Sequence, residues 1–160
     1  MLIAVKPIYS QLEFRQMLLS DSETMSYNEQ WGGIIDFSAS RWDMWYKKWI
    51  EEESTDRLYR LLFDGDSDRF VGEIAFYREN DKIQLHVLIY APYRRCGYGR
   101  EGLELLCNLA LKNGHTRVFD TVAKNNIGAQ ALLRLKGFRR EGAEEKGIVF
   151  SKVLKNKKGK

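Results

Sequence analysis

Arg94-x-x-Gly97-x-Gly99, followed at once by an apolar helical pattern, has the residue types for holding an anion. Two glycines let the backbone approach a ligand and adopt angles that a side chain forbids, and the first-turn N–H groups of the following helix lack internal partners. The helix dipole adds positive potential there, as do Arg94, Arg95 and Arg100, so a pyrophosphate suits this turn. Just upstream stands a second set of groups, able to exchange protons: Glu73, Tyr77, His86 and Tyr90. A carboxylate or imidazole takes a proton from a nearby amine, and a phenol gives one.

Strands must gather these groups. Phe70 to Tyr77 and Ile83 to Tyr90 read as two strands joined across Glu79-Asn80-Asp81-Lys82. With a short turn at Asn80-Asp81, the numbers of facing residues sum to about 161, which sets Ala75 opposite His86 and Glu73 opposite Leu88. Alternation then puts Ile74, Phe76, Leu85, Val87 and Ile89 on an apolar face suited to helix packing. Glu73, Ala75, Tyr77, Gln84, His86 and Tyr90 share the other face, which reads as a substrate cleft. A one-residue slip would redistribute every member.

The remaining pattern supplies the frame. Leu2 to Ile8 reads as a first strand, and Ser10-x-x-Glu13 as a capping box opening a helix with Leu12, Phe14, Met17 and Leu18. Ser20 to Ser38 has no sustained period and reads as a long loop. Ser40-x-x-Asp43 is a second capping box, before Trp42, Trp45, Tyr46 and Trp49 on one helical face. Such a stripe could cage a cationic amine, but packing in the core is the expected role, since each ring removes a large apolar area from water. Leu58 to Phe63 is a further strand. Gly99 to Lys112 is the helix after the glycine turn, Arg117 to Ala123 a strand, Asn126 to Gly137 a helix, and Phe138 to Glu141 with Gly147 to Leu154 a closing hairpin. The expected class is α/β, with a mixed, largely antiparallel sheet of six to seven strands and about four helices on both faces.

Asn126-x-x-Ala129-x-x-Leu132 with a Gly137-Phe138 stop follows the glycine turn in order. With both segments present, the chain resembles the GNAT superfamily of N-acetyltransferases, a three-layer α/β fold that uses acetyl-CoA as cosubstrate. The two segments cover about a third of the chain, and the order of elements extends the likeness over most of it. The resemblance implies that the strand before the turn and the next one splay apart. The pantetheine arm would then pair with the backbone of Leu88, Ile89 and Tyr90, beside Thr121 to Ala123. It implies a pyrophosphate held by the backbone of Arg94, Arg95, Cys96, Gly97, Tyr98, Gly99 and Arg100, and an Asn126 that contacts the cofactor or caps its helix. Glu73 or His86, directly or through water, is the candidate base. Many members carry a tyrosine acid at the position of Leu133, so here Tyr90, Tyr93, Tyr98 or water would protonate the leaving thiolate. Tyr27 and Trp31, on the long loop, are the candidates for the acceptor pocket.

One domain over residues 1–154 is the expected organisation for a chain of 160 residues, with 155–160 a basic, disordered tail. That tail supplies much of the net charge of +4 and has no aromatic-interleaved basic face beside it, which argues against nucleic acid. No run reaches the ~20 apolar residues of a membrane span, so a cytoplasmic protein is expected. Cys96 and Cys107 have no histidine at ligand spacing, and neither a metal site nor a disulfide is expected. The reading is therefore acetyl transfer to a primary amine of a small molecule, with homodimer pairing compatible. The alternatives are a protein or peptide acceptor, and a non-catalytic acyl-CoA-binding module.

Overall fold

The computed structural model describes residues 1–155. All but Lys155 of the segment read as a basic tail lies outside the described residues. Seven strands form one sheet in the order β1-β2-β3-β4-β5-β7-β6. They are β1 (Leu2–Val5), β2 (Arg57–Asp64), β3 (Arg69–Glu79), β4 (Lys82–Ile89), β5 (Arg117–Ala123), β6 (Arg139–Ala143) and β7 (Gly147–Val153). Four α-helices join them: α1 (Leu12–Ser20), α2 (Trp42–Tyr46, continued by a wider turn over Lys47–Glu51), α3 (Tyr98–Lys112) and α4 (Ile127–Leu135).

The central hairpin has the register expected from its turn. Ala75 pairs with His86 and Glu73 with Leu88. Asn80 and Asp81 make this possible by taking left-handed angles, φ of 52° and 64°, as a two-residue hairpin turn that follows the twist of its strands requires. Every neighbouring pair in the sheet is antiparallel except β4 and β5, which are parallel and joined by a single paired position, Gln84 with Phe119.

The sheet separates two cores. Ile74, Phe76, Leu85 and Ile89 pack with Leu103, Leu106 and Ala110 of α3 and Leu133 of α4. On the other face, Leu12 and Leu19 of α1 pack with Phe37, Trp42, Trp45 and Leu88, while Ile50, Tyr59, Leu61 and Ala75 form an adjoining cluster. The tryptophan stripe is thus packing: Trp45 meets Tyr59 edge to face at 4.7 Å and stacks on Trp49 at 6.0 Å.

Two local expectations fail. Neither Ser10 nor Ser40 caps a helix, because the chain enters both α1 and α2 through a tighter 3-10 turn, Tyr9–Gln11 and Ala39–Arg41. The Gln11 side chain instead accepts the Ile8 N–H at 3.0 Å, and Asp43 accepts the Tyr9 hydroxyl. The segment read as a long loop, Ser20 to Ser38, contains a 3-10 turn, Ser26–Trp31, closed by Gly32 at φ 110°.

Candidate functional site

β4 leads through a short turn, Ala91–Tyr93, into the glycine segment. There Arg95 (φ 65°) and Gly97 (φ 85°) turn left-handed, so that the chain reverses directly into α3. None of the backbone N–H groups from Arg95 to Arg100 has an acceptor among the described residues. Six successive free donors at the positive end of a 15-residue helix suit a pyrophosphate.

The Arg94 guanidinium does something else. It donates to the carbonyls of Thr24, at 2.6 Å, and Glu23, at 3.3 Å, and lies 5.6 Å from the centre of the Tyr27 ring. It therefore pins the segment leading into the Ser26–Trp31 turn to the glycine segment. The Tyr98 hydroxyl donates to Asp64, and this hydrogen bond holds the Asp64 carboxyl well below the usual range. Cys96 is exposed beside the turn.

Because β4 and β5 share one paired position, they diverge beyond it and leave a cleft of about 1020 Å³. Leu88 and Ile89 line one side and Thr121, Val122 and Ala123 the other. Arg94, Arg95, Tyr98 and Gly99 form one end together with Asn126, Ala129 and Leu132 of the α4 entry, and Tyr27 and Trp31 overhang it. Tyr90, Cys96, Gly97 and Arg100 do not line the cleft. Asn126 Oδ1 accepts the Ala129 N–H at 3.1 Å, so its side chain caps α4. Leu133, at the position where the resemblance leads one to expect a tyrosine, is 2% exposed and packs into the core.

Glu73 is fully buried and does not border the cleft. Its Oε1 accepts the Tyr59 hydroxyl at 2.6 Å, and its Oε2 accepts from Arg15 Nη1 at 2.6 Å and bonds His86 Nε2 at 2.8 Å. Burial alone would raise its pKa. The Arg15 charge, followed by His86, overcomes that and holds the carboxyl at about 2. His86 does line the cleft, with its side chain 39% exposed.

Two residues stand out that the sequence reading did not name. Asp120, mid-strand on β5, lines the cleft near His86; burial pushes its carboxyl up to about 7, against the pull of the His86 imidazole and the Thr121 N–H. Its signal was a carboxylate at the centre of the strand run Val118-Phe-Asp-Thr-Val122, with a valine on either side of it on its own strand face. Gln130 is buried and donates to the carbonyls of Ala123 and Lys124 at 3.1 and 3.0 Å, fixing α4 against the end of β5. Among the described residues, no helix is long and apolar enough to cross a membrane.

Residues 7–139 match the family model described as an acetyltransferase (GNAT) domain. No match was found among curated protein sequences. The fold is similar to that of a spermidine N-acetyltransferase from Vibrio cholerae solved with CoA and spermine: 18% identity, TM-score 0.78, 94% of this chain and 92% of that one. It is also similar to a putative ribosomal-protein-serine acetyltransferase from Vibrio cholerae, with 22% identity, TM-score 0.71 and coverage of 96% and 94%. A domain from Methanocaldococcus jannaschii DSM 2661 aligns at 16% identity and TM-score 0.78 over 96% of this chain and 99% of its own. With a family model spanning most of the chain, a cradle of free N–H groups and a sheet that opens beside it, this chain belongs to the GNAT acetyltransferase superfamily.

Proposed function

We propose that the protein transfers acetyl from acetyl-CoA to the primary amine of a small molecule, by direct attack with both substrates bound. The observation that carries this reading is a run of six unpaired backbone donors, of which Arg95, Tyr98 and Gly99 line the cleft, set against two groups on the same cleft able to exchange protons, His86 and Asp120. Acetyl-CoA supplies the acetyl group as an activated thioester. The N–H groups from Arg95 to Arg100 bind its pyrophosphate, and the β4 backbone at Leu88 and Ile89, laddered to β3 but without a partner on the β5 side, orients its arm. Tyr27 and Trp31 close over the acceptor and exclude water.

His86 takes the proton that the ammonium must lose before its lone pair attacks. Asp120, poised near neutrality by burial, is a second acceptor for that proton or for the acceptor's positive charge. Of the three candidate tyrosine acids, Tyr98 is committed to Asp64 and Tyr90 lies off the cleft, which leaves Tyr93 or water to protonate the departing thiolate. Glu79, also on the cleft, faces Lys82 across the hairpin, so Asp120 is the carboxylate nearer His86 that can meet a cationic amine. Acetyl-CoA as donor fits a cytoplasmic reaction.

A protein amine is the second reading. Ile34 and Ile35, exposed just beyond the Trp31 turn, would give a chain-like acceptor an apolar footing. Thiol release from acetyl-CoA, measured against polyamines, amino acids, aminoglycosides and short peptides, tests both. Turnover with a free amine supports the first reading, and turnover with peptides alone supports the second. Tight coenzyme binding without turnover on any acceptor would leave a non-catalytic acyl-CoA-binding module.

A further inference from the structure

Arg15 is the cation inside the aromatic cluster. Its guanidinium carbon lies 4.7 Å from the centre of the Trp45 ring, 5.0 Å from Phe37 and 5.3 Å from Tyr59. Among the described residues its buried Nε has no acceptor, so the ring faces take the place of a hydrogen bond. Its Nη1 reaches the fully buried Glu73, which in turn holds His86 on the cleft wall. A charged side chain only 17% exposed, off the cleft and paired with a fully buried carboxylate, needs a reason to be there. Replacing a buried ion pair with apolar side chains often leaves stability unchanged or improves it.

The hydrogen-bond roles supply the reason. Arg15 can only donate, and an ionised carboxylate can only accept. Tyr59 fills the other carboxylate oxygen as a donor, so the hydrogen shared between Glu73 and His86 must sit on the imidazole. We infer that Arg15 and Glu73 are positioning residues that fix His86 in the tautomer with its hydrogen on Nε2, leaving the Nδ1 lone pair as the base. This rests on the reading of His86 given above. The charged or titratable groups around the imidazole are Glu73 from β3, Arg15 from α1 and Tyr59 from β2 through Glu73, and Asp120 from β5.

Without Arg15 the chain of roles fails. A buried Glu73 that has lost its counter-charge either takes a proton and donates it to Nε2, which moves the imidazole hydrogen to Nδ1, or keeps its charge by holding His86 as imidazolium. Both states remove the lone pair on Nδ1.

The test is a nitrogen-15 NMR correlation spectrum of the histidine rings near pH 8. The chain has only two histidines, and His115, bonded to the Thr55 carbonyl, serves as internal control. In the wild type, His86 should show a protonated Nε2 and a bare Nδ1. In Arg15→Met, whose unbranched side chain suits the aromatic cage, the His86 nitrogens should shift to the Nδ1-protonated or doubly protonated pattern, while those of His115 stay in place. Arg15→Lys should restore the wild-type pattern. With an acetylated amine in hand, kcat of Arg15→Met should fall ~10-fold or more near neutral pH, with the KM for acetyl-CoA unchanged.

A wild-type His86 protonated on Nδ1 would overturn the inference, with no variant needed. So would an Arg15→Met spectrum that leaves His86 unmoved. If the tautomer is as stated but no amine is acetylated, the relay stands and the enzymatic reading falls.

Discussion

The Thr24 hydroxyl oxygen accepts the backbone N–H of Ala91 at 3.0 Å, across 67 positions of sequence. Thr24 is almost fully buried, and its own carbonyl takes a hydrogen bond from Arg94. The turn that carries Tyr27 and Trp31 is thus fastened twice to the segment that forms the cradle.

Cutting that fastening should loosen the acceptor side and spare the cradle, whose donors are backbone groups. Arg94→Met loses two hydrogen bonds from a charged donor and is expected to raise the amine KM about 5- to 20-fold, with a smaller change in the dissociation constant for CoA. Steady-state kinetics paired with calorimetric CoA titration reads both. Equal losses on the two sides would mean that Arg94 contacts the phosphate itself.

His86→Gln keeps a donor able to reach Glu73 but has no basic nitrogen. Activity near pH 7 should drop by about 10²-fold or more, with CoA affinity retained, whereas Asp120→Asn should cost less and mainly alter the pH profile. A His86→Gln enzyme with near wild-type kcat would move the role of base to Asp120.

Acid should weaken the fold through Glu73. Its carboxyl titrates at about 2 when folded against a usual value of 4.5, so the folded state favours the ionised form. That contribution is present in full above about pH 4.5 and is lost as pH falls toward 2. Urea unfolding of the wild type and of Glu73→Gln at pH 7, 5 and 3 should show a stability gap that is constant above pH 5 and narrows at pH 3. Glu73→Ala, which strands Arg15 in its cage, should cost ~3–5 kcal/mol at neutral pH.

Gly97 takes φ 85° at the entry to α3, in open space. A side chain there is not blocked sterically by neighbours, but it strains the backbone by ~1–2 kcal/mol. Gly97→Val should therefore weaken CoA binding, by reorienting the free N–H groups, more than it lowers the melting temperature. Fluorescence-monitored melts with and without CoA measure the two effects in one experiment.

How much of this was readable from the chain differs element by element. The central hairpin was legible because an Asn-Asp turn of two residues leaves a single register, and alternation then sorts every side chain. The cradle was legible because glycine spacing and a helix start are local. The partners of Glu73 were not, since Arg15 and Tyr59 come from elements 58 and 14 positions away. A trace of Arg15 was present: it shares a helical face with Leu12 and Leu19, and a cation on an apolar stripe needs a buried counter-charge. The helix starts misled because Ser-x-x-Glu and Ser-x-x-Asp describe a cap, while the chain used 3-10 turns there.

The divergence of β4 from β5 also divides the protein as a cooperative object. Four strands on one side and three on the other share one bridged position, Gln84 with Phe119, and otherwise meet through helices packed across them. Backbone amides of β5, β7 and β6 are therefore expected to exchange as a unit separable from the β1–β4 block, opening at less than the full cost of unfolding. A ligand bridging the gap joins the two units into one, so occupancy of the cleft stiffens strands it never touches.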